Sequence, residues 1–165
     1  MNIDTALLVV GTGPGALLVG KLASGRGLGS VIAGHVSTGG TEPVGLDEAA
    51  VAILTPHGVF DVLRPYLASH HPVTIAPEVF EEVLKHHCVA DMNTGVYDGL
   101  QLVEAEPTAD GGVRGVLTDG TTRWPVTADA FVDASSLPAD LSAAVAQASV
   151  VANTIVDRLR ARSQS

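Results

Sequence analysis

An α/β fold, with a parallel sheet covered by helices and an antiparallel β-meander, is predicted by three observations. Ala6 to Val10 is a short, unbroken apolar run bounded by glycine, as a central parallel strand is when both its faces are covered. A glycine-rich turn and a helical pattern follow, leading to a second apolar run and completing a strand, helix, strand unit of about thirty residues. Further on, Asp110-Gly111 and Asp119-Gly120 separate strand-like segments as hairpin turns do. Ala, Val, Leu and Gly dominate while aromatics are only 4%, which suits closely packed helices on a buried parallel sheet rather than a β-sandwich.

The elements read in order. Ala6–Val10 is the first strand, Leu17–Ser24 carries a helical pattern ended by Gly25, Gly27 and Gly29, and Ser30–Gly34 is the second strand. Between Gly45 and Pro72, Leu46–Leu54 reads as a helix with Asp47 and Glu48 near its start, and Val59–Ser69 as another that Pro65 kinks or divides. Pro77 suits the first position of a helix reaching about His87, with acids in its first turns and Lys85 and histidines in its last. Val89–Met92 is then read as a strand, followed by a meander of Gly99–Glu106, Gly112–Thr118 and Thr122–Val126. Ala130–Ala134 is a last short strand, and Leu141–Arg160 a long helix whose arginines complement its C-terminal dipole, leaving 161–165 as a frayed tail. At 165 residues, one domain over 1–160 is the expectation.

Charge and composition narrow the function. Nine Lys and Arg against eighteen Asp and Glu give a formal charge of −9, which repels phosphate backbones, so no nucleic-acid partner is expected. No apolar run approaches the ~20 residues of a membrane span, so a soluble, cytoplasmic protein without membrane insertion is expected. Cys88 is the single cysteine, so the chain alone builds neither a disulfide nor a thiolate cage for a metal. His70-His71 and His86-His87-Cys88 are histidine pairs on one backbone, which seldom turn both rings to one ion, and no metal site is assigned to them. Cys88 reads as a small buried hydrophobe, with a redox or partner-linked thiol as the alternative. Ser135-Ser136 lacks a nucleophile elbow, and Asp133 and Asp140 read as strand-end and helix-cap residues.

The sharpest signal is Gly11-Thr12-Gly13-Pro14-Gly15-Ala16. A strand ending at Gly11 must turn tightly, Gly13 leaves no side chain to block a pyrophosphate, and Ala16 lets the helix pack close. The helix N-terminus then offers unpaired N–H groups and a positive dipole end. A dinucleotide site of this kind also needs an acid after the second strand to hold the adenosine ribose. His35 stands there. A neutral imidazole accepts one hydrogen bond where a carboxylate accepts two, so Ser37, Thr38 or Glu42 are candidates to share the task, and a histidine without a ligand is the alternative.

With His35-Val36-Ser37-Thr38-Gly39-Gly40 added, the chain resembles the Rossmann-like FAD/NAD(P)-binding flavoprotein superfamily of the two-dinucleotide-binding-domain type. The likeness runs on through Pro77–His87 and the meander to Ala128-Asp129-Ala130-Phe131-Val132-Asp133-Ala134-Ser135-Ser136. The closing stretch from Leu137 to Ser149 is similar to the flavin subunit of heterodisulfide reductases. Ala16 and Ser136 stand where the pattern has glycine, and His35 where it has an acid. The resemblance implies FAD, with pyrophosphate on Gly11–Ala16, the adenosine end toward His35, Gly39 and Gly40, and Ser135, Asp140 and Leu141 near the ribityl or isoalloxazine part. It implies an FAD-binding oxidoreductase, or a flavin-binding subunit of a redox complex, acting in a homo- or hetero-oligomer with a redox partner protein; no catalytic side chain is assigned. Two alternatives stand beside it: a cofactor-free structural or regulatory subunit descended from such a fold, and NAD(P) binding, which the double glycine and late meander favour less.

Overall fold

The computed structural model describes residues 2–37 and 39–164. Among the described residues nine strands and five α-helices follow in the order β1 (Ile3–Val10), α1 (Pro14–Gly25), β2 (Ser30–Ala33), β3 (Val44–Gly45), α2 (Glu48–Leu54), α3 (Val59–Leu63), β4 (Ser69–His70), β5 (Val73–Ile75), α4 (Pro77–Val89), β6 (Thr94–Tyr97), β7 (Gln101–Pro107), β8 (Val113–Thr118), β9 (Arg123–Asp133) and α5 (Leu141–Ser163). The main sheet has the order β6-β2-β1-β9-β8-β7, its first four strands parallel and its last two antiparallel. This is the α/β fold the sequence predicts.

The unbroken apolar run of β1 is buried on both faces. Leu7 and Val9 belong to a core shared with α1, α4 and α5, while Leu8 belongs to a second cluster with Ala33, Val113, Leu117, Val126 and Ala128 from β2 and the meander. Full burial of each such side chain contributes about 1.5–3 kcal/mol relative to exposure. Among the described residues no helix is long and apolar enough to cross a membrane.

Four segments differ from expectation. Val89–Met92 is not a strand: α4 runs through Val89, Asp91 turns the chain by accepting from Asn93 N at 2.9 Å, and Met92 is fully exposed. The strand is Thr94–Tyr97 instead, with Ser30 beside Thr94. Thr122–Val126 and Ala130–Ala134 are one continuous strand, β9, because Val126, Ala128 and Ala130 point inward while Thr127 and Asp129 point out. The helix expected over Val59–Ser69 ends at Leu63, with Arg64–Tyr66 a 3-10 turn around Pro65, and β3, β5 and β4 form a small antiparallel sheet too short to leave a pattern. Finally α5 extends to Ser163, where Arg162 pairs with Asp110 in the β7–β8 turn.

One polar cluster ties α1 to the turn before β6. Lys21, 7% exposed, places Nζ 3.0 Å from Asp91 Oδ2, and Ser24 Oγ donates to the same oxygen at 2.6 Å. Burial pushes the Asp91 carboxyl up, but the hydrogen bonds from Ser24, Asn93 N and Lys21, with the lysine charge, outweigh it and bring the group down to about 2. Burial, and then the same lysine, also lower the nearby His57 and His87.

Candidate functional site

The glycine-rich turn joins the C-terminal end of β1 to the start of α1. Gly11 has φ +139° and Gly13 φ +80°, conformations that L side chains rarely adopt. Pro14 opens α1 three residues before the expected start, at a position where its missing N–H costs nothing. No side chain among the described residues caps α1, and its first turn holds no acid, whereas Asp47 and Asp140 cap α2 and α5. The first-turn amides of Gly15 and Ala16 have no partner inside the helix, and the positive end of the dipole is not offset.

Across from this turn lies the chain that leaves β9. A Cβ on Gly11 would sit 3.0 Å from Ser135 N, and one on Gly15 2.6 Å from Leu137 Cδ1, so the two segments face each other closely. Between them is a crevice of about 180 Å³, bounded by Thr12–Gly15 on one side and Ser135 and Leu137–Ala139 on the other. It opens at the C-terminal ends of β1 and β9. Because β1 has β2 on one side and β9 on the other, the crevice lies where the strand order switches, the position at which open parallel sheets bind ligands. A larger cavity of about 740 Å³ lies beside the C-terminal ends of α1 and α5, and its Arg26, Arg160 and Arg162 already bond to Asp157, the Arg26 carbonyl and Asp110.

After β2 the chain stays close to the same turn, since Gly13 N donates to Val36 O at 2.9 Å. The His35 side chain is 4% exposed, with Nε2 3.2 Å from Glu81 Oε1. Glu81, on α4, is 1% exposed, and its second oxygen accepts from Ser37 Oγ at 3.2 Å. A carboxylate therefore does stand behind β2, but it comes from α4 and is taken up by His35 and Ser37. Sequence reasoning passed over Glu81, although its spacing with Leu84 and Cys88 places it on the buried stripe of that helix. Gly39 fits against the same helix, where a Cβ would approach Glu78 N and Glu81 Oε2 to 2.6 Å, and Gly40 O accepts from Glu78 N at 3.1 Å. Glu42 is exposed before β3, and Thr38 lies outside the described residues.

A second recess, of about 320 Å³, sits at the ends of β2 and β6. Gly34 N donates to Tyr97 O at 3.1 Å and draws the two ends together. Asp98 follows Tyr97; its Oδ1 lies 3.9 Å from His35 Nδ1, and Lys85 of α4 pairs with its other oxygen. That hydrogen bond holds the Lys85 ammonium above its usual range.

The remaining candidates have local roles. Asp133 accepts from Ser135 N and Oγ at 3.0 and 2.6 Å. Asp140 caps α5 through Ala143 N at 3.0 Å, and Leu141 is buried beneath it. His86 pairs with Glu82 on the exposed side of α4. Among the described residues no three His, Cys, Asp or Glu side chains come together to hold a metal. Cys88 is fully buried and burial pushes its thiol up to about 12, so it is expected to resist iodoacetamide in the native protein and react only on unfolding, as mass spectrometry of labelled protein would read.

No family model and no curated protein sequence matches the chain. Solved structures do. The chain is similar to the flavin-dependent monooxygenase PieE in complex with FAD and substrate (TM-score 0.65, 16% identity, 78% of this chain and 30% of that one). It is similar to p-nitrophenol 4-monooxygenase PnpA from Pseudomonas putida DLL-E4 (0.60, 16%, 79% and 40%) and to the rebeccamycin biosynthetic enzyme RebC with reduced flavin (0.64, 15%, 81% and 33%). The chain shares its fold with part of each of these enzymes. The chain spans 30–40% of the length of these enzymes, and at such identities the likeness concerns the fold alone.

Proposed function

We propose that residues 1–160 form a single FAD-binding unit of an oxidoreductase, with the FAD pyrophosphate held by Gly11–Ala16. The observation that carries this reading is the uncapped, acid-free start of α1, opening on a side-chain-free turn at the switch point of the parallel sheet. The phosphate end of the cofactor fits these residues: the Gly15 and Ala16 amides would donate to it, and Gly13 keeps the approach clear. The adenosine end would lie toward His35, Gly39 and Gly40 and the recess beside Asp98. The flavin end would extend past Ser135 toward the opening of α5 at Asp140 and Leu141, as the resemblance of that stretch to heterodisulfide reductase flavin subunits suggests.

When bound, the flavin would supply hydride or electron transfer, and this chain would supply position and electrostatics. The chain matches about a third of the monooxygenases, so the surface that brings the second reactant would come from further polypeptide, either a redox partner subunit or another copy. A cofactor-free structural role is the second reading, favoured by one observation: the carboxylate nearest the end of β2 is already bonded to His35 and Ser37.

Titration of the full chain with FAD separates the two. Binding is expected to quench or shift flavin fluorescence and to raise the melting temperature, since a ligand at about 100 times its Kd stabilises by about 2.7 kcal/mol. Unchanged fluorescence together with an unchanged melting temperature rejects FAD binding in favour of the structural role.

A further inference from the structure

We propose that His57 and His87, gathered around the Lys21–Asp91 ion pair, form an acid-sensitive clasp: uncharged, they let the 3-10 turn Thr55–His57 between α2 and α3 lie against α1, and a proton on either ring opposes that contact. These groups lie toward the C-terminal ends of α1 and α4, away from the glycine turn, so the inference is independent of the flavin reading.

Gly25 marks the contact. It makes no left-handed turn, and a glycine inside a helix is less favourable than alanine, so its backbone gives no reason for the choice. Its surroundings do: a Cβ on Gly25 would run into His57 Nδ1, so the ring rests directly on the backbone of α1. Lys21 stands one turn earlier on the same face of α1. Asp91 Oδ2, 3.0 Å from Lys21 Nζ, draws in the end of α4, on which His87 precedes Asp91 by four residues. His87 Nδ1 is buried without a hydrogen-bond partner among the described residues. Both nitrogens of an imidazolium are donors, so a charged His87 has a donor with no acceptor, and a charged His57 is a second cation near Lys21.

No neighbouring group takes up the new charge. Asp91 already accepts from Lys21 Nζ, Ser24 Oγ and Asn93 N. Arg26 of α1 pairs with Asp157 of α5, Asp61 of α3 with Arg64, and Glu82 of α4 with His86; Glu48 stands at the far end of α2, and β6 has no charged residue. Burial first, and then the Lys21 charge, hold both rings below the ordinary 6.5, with Asp91 offsetting part of this at His87. Because the folded values are the lower ones, the closed arrangement is complete above pH 6.5 and weakens as the pH falls through them. The turn is the part able to move: Thr55 and Pro56 are exposed, whereas Phe80, Leu84 and Cys88 fix α4 in the core.

Amide hydrogen exchange of the full chain from about pH 7 to pH 5, corrected for intrinsic exchange, tests this together with NMR titration of the histidine rings. The amides to follow are those of Thr55, bonded to Val51 O, and Gly58, bonded to Thr55 O. Their opening is expected to rise at least about threefold over that range, and by no more than about tenfold per pH unit for each proton taken up. His57→Gln is expected to remove the rise, His87→Gln to lessen it, and His86→Gln, on the exposed side of α4, to leave it unchanged. In the wild type both the His57 and His87 rings should titrate below 6.5. Exchange at Thr55 and Gly58 that does not change with pH, a full rise in either His57→Gln or His87→Gln, or a His57 ring that titrates at 6.5 or above overturns the inference.

Discussion

Replacing Gly13 with alanine is expected to abolish FAD binding in a protein that still folds. Gly13 has φ +80° and ψ −172°, a region essentially closed to residues with a Cβ, and holding alanine there costs about 1–3 kcal/mol. The turn can relieve that strain only by rotating its peptides, and rotation turns the Gly15 and Ala16 amides away from the place a pyrophosphate would occupy. It also breaks the bond from Gly13 N to Val36 O, which keeps the chain after β2 beside the turn. We expect at least a hundredfold loss of affinity by flavin fluorescence, with a melting temperature lower by a few degrees. Gly45→Ala serves as the control, because a Cβ there meets nothing within 4 Å and its backbone makes no left-handed demand. Equal FAD affinity in both variants would show that the turn does not carry the phosphates.

The second large effect concerns stability. Asp91 is held down to about 2 in the folded chain against an ordinary value of 3.8, a difference of about 2 kcal/mol at 1.36 kcal/mol per unit. Because the folded value is the lower one, this contribution is fully present above about pH 4 and disappears as the pH falls toward 2. Asp91→Asn removes the charge while Lys21 remains almost buried, and a buried cation without its partner is costly. We expect a loss of about 2–3 kcal/mol at pH 7, some 5–10 °C in melting temperature for a chain of this size. The difference between wild type and variant should shrink by about 2 kcal/mol between pH 4 and pH 2 in urea unfolding. A difference that stays constant over that range would mean that the ion pair with Lys21 does not stabilise the fold.

Much of this was legible in the sequence because local chemistry and tertiary position agree. β1 is read from Ala6–Val10 because a strand covered on both faces needs an unbroken apolar run. The turn after it is read from glycines that no other residue replaces at those angles. Asp140 is recognisable as a cap from its place before an Ala-rich helix. The misreadings occur where spacing and composition disagree. Val89–Met92 is apolar enough for a strand, yet Asp91 bonds to Asn93 N and makes a turn. The middle of β9 looked like a break because alanine and aspartate are poor strand formers, although inward and outward positions alternate through it without interruption. Glu81 and Asp98 were missed for a different reason: their meaning comes from His35, distant in sequence, and no local pattern reports that contact.

The pairing of β1 with β9 also sets an order of events during synthesis. β1 takes its neighbour on that side from β9, which is made much later, and the crevice beside the glycine turn needs both. A nascent chain that has made β1, α1 and β2 has the glycine turn without its opposite wall, and that wall is made only once Ser135 to Ala139 have emerged. The crevice is therefore complete only once β1 and the segment that follows β9 have come together.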